Sequence, residues 1–188
     1  MQDACYNPVA VQTAVDLANT LRPVKGEDAL ETLEQLQDFL DAHPAAEPPG
    51  TVPRQLTHAD LTEVRALRET VREVLERSSA NAVEAAALIN DGLRRSRATP
   101  VLRHEGDRWW TEVTSGADRR STHLAATTLS ALASVIATLG PARLGVCAGL
   151  NCRATFVDLS RNGSKQYCTR NCAHRASVAA YRSRRSPH

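Results

Sequence analysis

Four of the five cysteines fall within residues 147–172, as Cys147, Cys152, Cys168 and Cys172, with four, fifteen and three residues between successive members. Two close thiol pairs separated in this way form the donor set of a tetrahedral thiolate zinc site, given a reducing compartment where disulfides do not persist. Each pair comes from a short turn that aims two sulfurs at one point. Four thiolates fill the coordination sphere of zinc and leave no position for water or substrate, so the expected ion is one structural Zn2+ per chain. A redox cysteine pair, or four unlinked buried thiols, are the alternatives the spacing leaves open. Cys5 stands apart, readable as a reactive thiol or as an ordinary terminal cysteine.

The two pairs meet only if the chain between them reverses. Residues 154–159 read as a strand, Asn162-Gly163 is a turn dipeptide and 165–167 lead back to Cys168, which predicts a hairpin. Cys168 and Cys172 are four residues apart and so share a helical face. From Ala173 to Arg185 the chain has no Pro or Gly and is rich in Ala and Arg, which predicts a helix from near Cys168 to about Arg185. A knuckle, a hairpin and a helix carrying the last two ligands make a treble-clef-like finger.

Charge divides the chain at the same place. Residues 143–188 hold nine basic side chains against Asp158 alone, a formal +8, which leaves residues 1–142 at −6 within a total of +2. An acidic body joined to a basic tail points to a polyanion-binding module, a solvated basic tail being the plain alternative.

The run Cys147-Ala148-Gly149-Leu150-Asn151-Cys152, then Phe156-Val157-Asp158-Leu159-Ser160-Arg161-Asn162-Gly163, then Tyr167-Cys168 and Cys172-Ala173-His174-Arg175, resembles the CGNR zinc finger. That family is named for a Cys-Gly-Asn-Arg tetrapeptide, of which this chain keeps Cys172 and Arg175 and replaces the middle two with Ala173 and His174. Such fingers follow an ABATE domain, a mostly helical module of stress-induced transcription regulators. Residues 11–21, ending Asp16-Leu17-Ala18-Asn19-Thr20-Leu21, look like the opening of that domain, where an Asn-Thr pair closes the first helix. The resemblance covers most of the chain, specifically in the finger and loosely elsewhere, and implies a DNA-binding transcription regulator.

The body reads as helical on its own pattern. Apolar residues at 10, 11, 14, 15, 17, 18 and 21 predict a first helix. Leu30, Leu33, Leu36 and Leu40 predict a second, with Asp28 as its cap and His43-Pro44 as its end, and five Pro and Gly residues between 44 and 53 mark a loop. Thr57 with Asp60 suits a capping box opening a third helix through Leu75, and a fourth spans about 81–93. Residues 99–114 flank Gly106-Asp107 and predict a short β-hairpin, expected to be the only sheet of the body. A long alanine-rich helix over about 117–139, ended by Gly140-Pro141, also suits a dimer contact. The expected architecture is thus mainly α, a multihelical sensor-like domain over 1–142 followed by the finger over 143–188, with a linker short enough for the two to pack together.

For nucleic acid the candidates are Arg161 and Lys165 beside the turn, Arg170, Arg175 and Arg182 on the helix, and Arg184 and Arg185 at its end. Arg170, Asn171 and Arg175 are the ones to try for base edges. Arg175 could equally serve inside the finger, capping a carbonyl or pairing with Asp158. A small-molecule effector would be met by Trp109 or Trp110, which alternate across a strand, or by His123 or Asn19, although Asn19 also suits the end of the first helix.

Phosphate loops, His-Glu-x-x-His and Gly-x-Ser-x-Gly are missing from the sequence, and the six histidines are scattered, so no enzyme is expected. No stretch reads as a membrane span or a leader, so the chain is expected in the cytoplasm without a membrane partner. Two lysines against 21 arginines suit a GC-rich bacterial genome. A transcription regulator on DNA, an RNA-binding module and a zinc-stapled protein-interaction domain are the three functions that remain. The scarcity of stacking aromatics in the finger, Phe156 and Tyr167 only, speaks against RNA.

Overall fold

The computed structural model describes residues 6–22, 24–43, 55–115 and 119–185, apart from the side chains of Arg108 and Arg185. Cys5 and the Pro-rich loop at 44–53 lie outside them. Helix α1 (Pro8–Asn19) opens at Asn7, whose side-chain oxygen accepts the N–H groups of Val9 and Ala10 at 3.0 and 3.2 Å. A two-residue pair, β1 (Leu21–Arg22) with β2 (Glu27–Asp28), follows and adds a second small sheet to the body, which the sequence reading did not expect. Helix α2 (Leu33–Ala42) is capped by Thr32 in a capping box with Gln35. Asp28 is therefore not the cap. Its carboxylate accepts the Leu30 N–H at 2.9 Å and the guanidinium of buried Arg68 at 2.6 Å, a tertiary partner that outcompetes the local role. Burial alone would raise the Asp28 pKa, but the hydrogen bonds from Arg68 and Leu30 outweigh it and hold the carboxyl below its ordinary value.

Helix α3 (His58–Arg77) begins with the expected Thr57–Asp60 capping box, and α4 (Ala82–Arg95) is capped by Asn81. Strands β3 (Ala98–Glu105) and β4 (Arg108–Ser115) pair antiparallel around Gly106-Asp107 as the sequence predicts. Helix α5 (Arg120–Leu139) then runs through the middle of the body, against α1, α3, α4 and the β3–β4 hairpin. It buries Leu124, Leu129, Leu132 and Val135 against Val11, Ala14 and Leu17 of α1 and Val71 and Leu75 of α3. Each fully buried leucine is worth about 2 kcal/mol of removed apolar surface. By length and composition α5 could cross a bilayer, contrary to the sequence reading, but its apolar residues face other helices of the same chain, with His123 and Thr128 buried among them. The fully buried positions of α5 thus belong to the core, while Ala125, Ala133, Ile136 and Leu139 are half-buried.

Gly140 ends α5, a 3₁₀ turn covers Pro141–Arg143, and β5 (Leu144–Val146) pairs antiparallel with β6 (Thr155–Val157). Helix α6 (Arg170–Arg185) ends the described chain. The expected strand at 154–159 is therefore present in shortened form, but its partner precedes the first cysteine rather than following the Asn162-Gly163 turn. Backbone pairing across the Cys147–Cys152 knuckle needs only a short loop. The return segment is held instead by the Asp158 carboxylate, which accepts the N–H groups of Ser160 and Lys165 at 2.9 and 2.8 Å. Leu144 and Val157 extend the core of the body, so finger and body share one apolar interior, as the short linker suggested.

Candidate metal centre and the surfaces around it

The knuckle is shaped by its own small residues. Asn151 takes a left-handed φ of 58°, a conformation Asn tolerates, and Cys152 N–H closes the loop on the Gly149 carbonyl at 3.1 Å. A Cβ on Gly149 would lie 3.3 Å from Cys147 Sγ and 3.3 Å from Cys172 Cβ, so any larger residue would press on the converging ligands by a few tenths of an ångström. Thr169 caps α6, its hydroxyl oxygen accepting the Cys172 N–H at 3.3 Å. Cys168 therefore sits just before the helix and Cys172 in its first turn, rather than both on one helical face as the spacing suggested.

These elements bring all four Sγ atoms within 4.8 Å of one another, with Cys152–Cys168 and Cys168–Cys172 each at 3.7 Å. A tetrahedron of zinc–sulfur bonds of about 2.3 Å has edges of about 3.8 Å, so the cluster fits Zn2+. N–H groups point at the sulfurs as well. Gly149 and Cys168 donate to Cys147 Sγ at 3.4 and 3.3 Å, and Arg175 Nη2 donates to Cys172 Sγ at 3.3 Å. Thr169 and Arg175 draw the Cys172 thiol down to about 6, whereas burial and the three neighbouring sulfurs push Cys168 up to about 12. A divalent cation supplies the positive charge that lets all four ionise together. Residues Cys147, Cys152, Cys168 and Cys172 would hold one zinc, whose chemistry is to fold and fix the finger.

Arg175 thus lies at the metal centre, on a sulfur and not on Asp158. Around the finger, Arg161, Lys165, Arg170, Arg182 and Arg184 are exposed. Arg161, Arg170 and Arg184 form no ion pair among the described residues. Lys165 lies over the Phe156 ring, 5.2 Å from its centroid. Arg185 is the last residue of α6, and its side chain is outside the described set.

The effector candidates scatter. Trp109 and Trp110 are 61 % and 39 % exposed, so neither packs in the core, and Trp109 lies tilted against His104 with ring centroids 4.7 Å apart. Trp109 and Trp110 do point to opposite faces of β4, and Trp110, opposite Arg103, shares the face of half-buried Val101, Arg103, Glu112 and Thr114, but it stands near the hairpin tip and stays largely uncovered. His123 is buried on α5, its Nδ1 without a hydrogen-bond partner and its pKa lowered by burial. Asn19 ends α1 and binds the finger, accepting the Thr155 N–H at 2.9 Å and donating to the Thr155 carbonyl at 3.0 Å.

Sequence reasoning missed the second half of that junction. Arg72 of α3, only 6 % exposed, donates to the carbonyls of Ala18, Leu21 and Arg153, the last at 2.9 Å, and pairs with Glu76. An arginine on a charged helix gives no sign of being buried, and its partners are backbone atoms without a sequence signature. Half-buried Arg143 also turns to the finger's backbone, donating to the Asp158 and Ser160 carbonyls.

A helical body docked through shared core and buried polar contacts onto a four-thiolate treble-clef-like zinc finger defines a two-part zinc-binding protein. The chain belongs to the ABATE family, described as "Putative stress-induced transcription regulator", which it matches over residues 12–139, and its residues 143–185 match the CGNR zinc finger. No curated protein matches the chain.

Proposed function

We propose that this protein is a zinc-dependent, DNA-binding transcription regulator of the bacterial cytoplasm, in which the finger contacts the phosphate backbone and the helical body modulates that contact. One observation carries the reading. The single side-chain carboxylate of residues 143–188, Asp158, is 2 % exposed and committed to backbone N–H groups, so the outer surface of the finger offers cations and no competing acid. Helix α6 carries Arg170, Arg182 and Arg184 outward, and Arg161 and Lys165 extend the charge along the loop before it. Base-edge reading falls to Arg170 and Asn171 at the start of α6, both exposed, more than to Arg175, which is engaged at a sulfur. The reading includes no catalysis, since four thiolates saturate zinc.

The test is fluorescence anisotropy of zinc-loaded full-length protein on random-sequence duplex DNA at about 50 and about 150 mM salt. Some five phosphate contacts would weaken binding roughly a hundredfold over that range. Charge reversal at Arg182, Arg184 and Arg185 should abolish binding. Unchanged binding in that variant would overturn the reading. Preference for RNA in competition, or affinity only for an acidic protein, would replace it with one of the two other functions.

A further inference from the structure

Between α1, the β1–β2 turn and the finger lies a groove of about 580 Å³, within the range of small-ligand sites of about 300–1,000 Å³. Its walls come from both halves of the protein. Val15, Leu21 and Val24 line it from the body and Phe156 and Leu159 from the finger, with Val24 49 % and Leu159 38 % exposed. Around this apolar floor stand Arg22, Lys25, Lys165 and Arg175. Asp16 is the one carboxylate among the lining residues, and it is turned to Gln12 at 2.9 Å and His43 at 3.2 Å.

Arg175 is engaged at Cys172 Sγ, but the other three cations are held loosely. Arg22 and Lys25 share the exposed Glu27 at 3.3 and 3.8 Å, and among the described residues Lys165 Nζ reaches the Val157 carbonyl at 3.5 Å and the Phe156 ring. An exposed pair of this kind contributes little and yields readily to a better anion. Exposed valine and leucine beside several cations suit neither plain solvent nor a bare phosphate backbone, which would leave the apolar floor unused. They suit a molecule that is both apolar and acidic.

We propose that this groove binds a small organic acid with an aromatic or aliphatic body, its carboxylate held by Lys25 and Lys165 and its apolar part resting on Val24, Phe156 and Leu159. The inference rests on the reading of the body as the modulating half, for it names the ligand class and the place of that modulation. A ligand there touches both sides of the Asn19–Thr155 junction, so occupancy fixes the position of the finger, and of α6, relative to the body.

The experiment is a titration of ¹⁵N-labelled, zinc-loaded full-length protein with sodium phenylacetate and with sodium octanoate, followed by amide chemical shifts in the absence of DNA. Saturable shifts confined to residues around Val24, Lys25, Phe156 and Leu159 are expected with at least one acid. Charge reversal by Lys25→Glu with Lys165→Glu should weaken that binding at least roughly tenfold, as loss of charge-assisted hydrogen bonds does. The pair Arg94→Glu with Arg95→Glu on α4 should leave it unchanged, and neutral 2-phenylethanol should bind at least roughly tenfold more weakly than phenylacetate. Zinc content and overall amide dispersion confirm that each variant is folded. Absence of saturable shifts with both acids, shifts centred elsewhere, or equal affinity in the Lys25→Glu, Lys165→Glu protein overturns the inference. A chain that binds the acid but no duplex keeps this site and loses the regulator reading, and a chain that binds duplex but no acid does the reverse.

Discussion

The side-chain amide of Asn19 pairs with the backbone of Thr155 much as one strand residue pairs with another, accepting its N–H at 2.9 Å and donating to its carbonyl at 3.0 Å. The two residues are 136 positions apart, one at the end of the first helix and the other in the finger. Thr155 is 1 % exposed, so neither backbone group has water as an alternative. Asn19→Ala should cost about 2–3 kcal/mol, the desolvation penalty of a buried donor and acceptor left unmade, read by urea unfolding of the zinc-loaded protein. Asn19→Asp keeps the acceptor and should fall between. A loss below about 0.5 kcal/mol would show the pairing to be dispensable.

Arg72 closes the same junction from α3 through three carbonyls and Glu76. Its planar fork spans partners that one ammonium cannot. Arg72→Met and Arg72→Lys are both expected to destabilise by about 3 kcal/mol or more, with increased proteolysis between body and finger. Full stability in Arg72→Lys would mean that charge alone suffices.

Chelation of zinc, or Cys152→Ser, should unfold the finger, because four sulfurs gathered within 4.8 Å need a divalent cation to hold them together and Arg175 reaches Cys172 alone. A colorimetric assay should find one zinc per chain, and far-UV circular dichroism should lose the contribution of α6. The body should also lose thermal stability, since Leu144 and Val157 belong to its core. An unchanged spectrum after complete removal of metal would contradict a structural role.

His123 carries a pH dependence of known sign. Burial lowers its pKa from the ordinary 6.5, Glu112 opposing more weakly, so the folded protein holds it neutral while the unfolded chain takes up a proton. The stability it permits is present above about 6.5 and declines as pH falls below that value, by up to about 1.4 kcal/mol per pH unit. His123→Leu removes the titration and the unpartnered Nδ1. Its advantage over the native protein should therefore grow from pH 7 to pH 5 in paired denaturation curves, and a constant gap would show that His123 does not titrate on unfolding.

Gly92 on α4 packs tightly against α5, where an added Cβ would lie 2.3 Å from Leu129 Cδ1. Gly92→Ala gains helix propensity of about 1 kcal/mol but must displace a fully buried leucine. Overpacking of that kind costs about 1–3 kcal/mol, so a net loss is expected in thermal unfolding. A net gain would show that Leu129 has a second rotamer available.

What the sequence determined by itself is what depends on local chemistry. Cysteine spacing, the Thr57–Asp60 capping box and the Gly106-Asp107 turn each act over a few residues, and each appears in the structure where its spacing placed it. The 3.6-residue apolar repeats likewise carry their own burial, so the helices were legible to within a few residues. Tertiary structure decided the rest. Asp28 left its capping role for Arg68, β6 found its partner before the knuckle, and Trp110 stayed at the surface although it shares the hairpin face of half-buried Val101 and Glu112. The junction of Asn19, Arg72 and Thr155, and the groove beside it, belong to the same group. Their partners are distant backbone atoms, and a carbonyl looks alike beneath every residue, so only the folded chain selects which one an arginine or an asparagine meets.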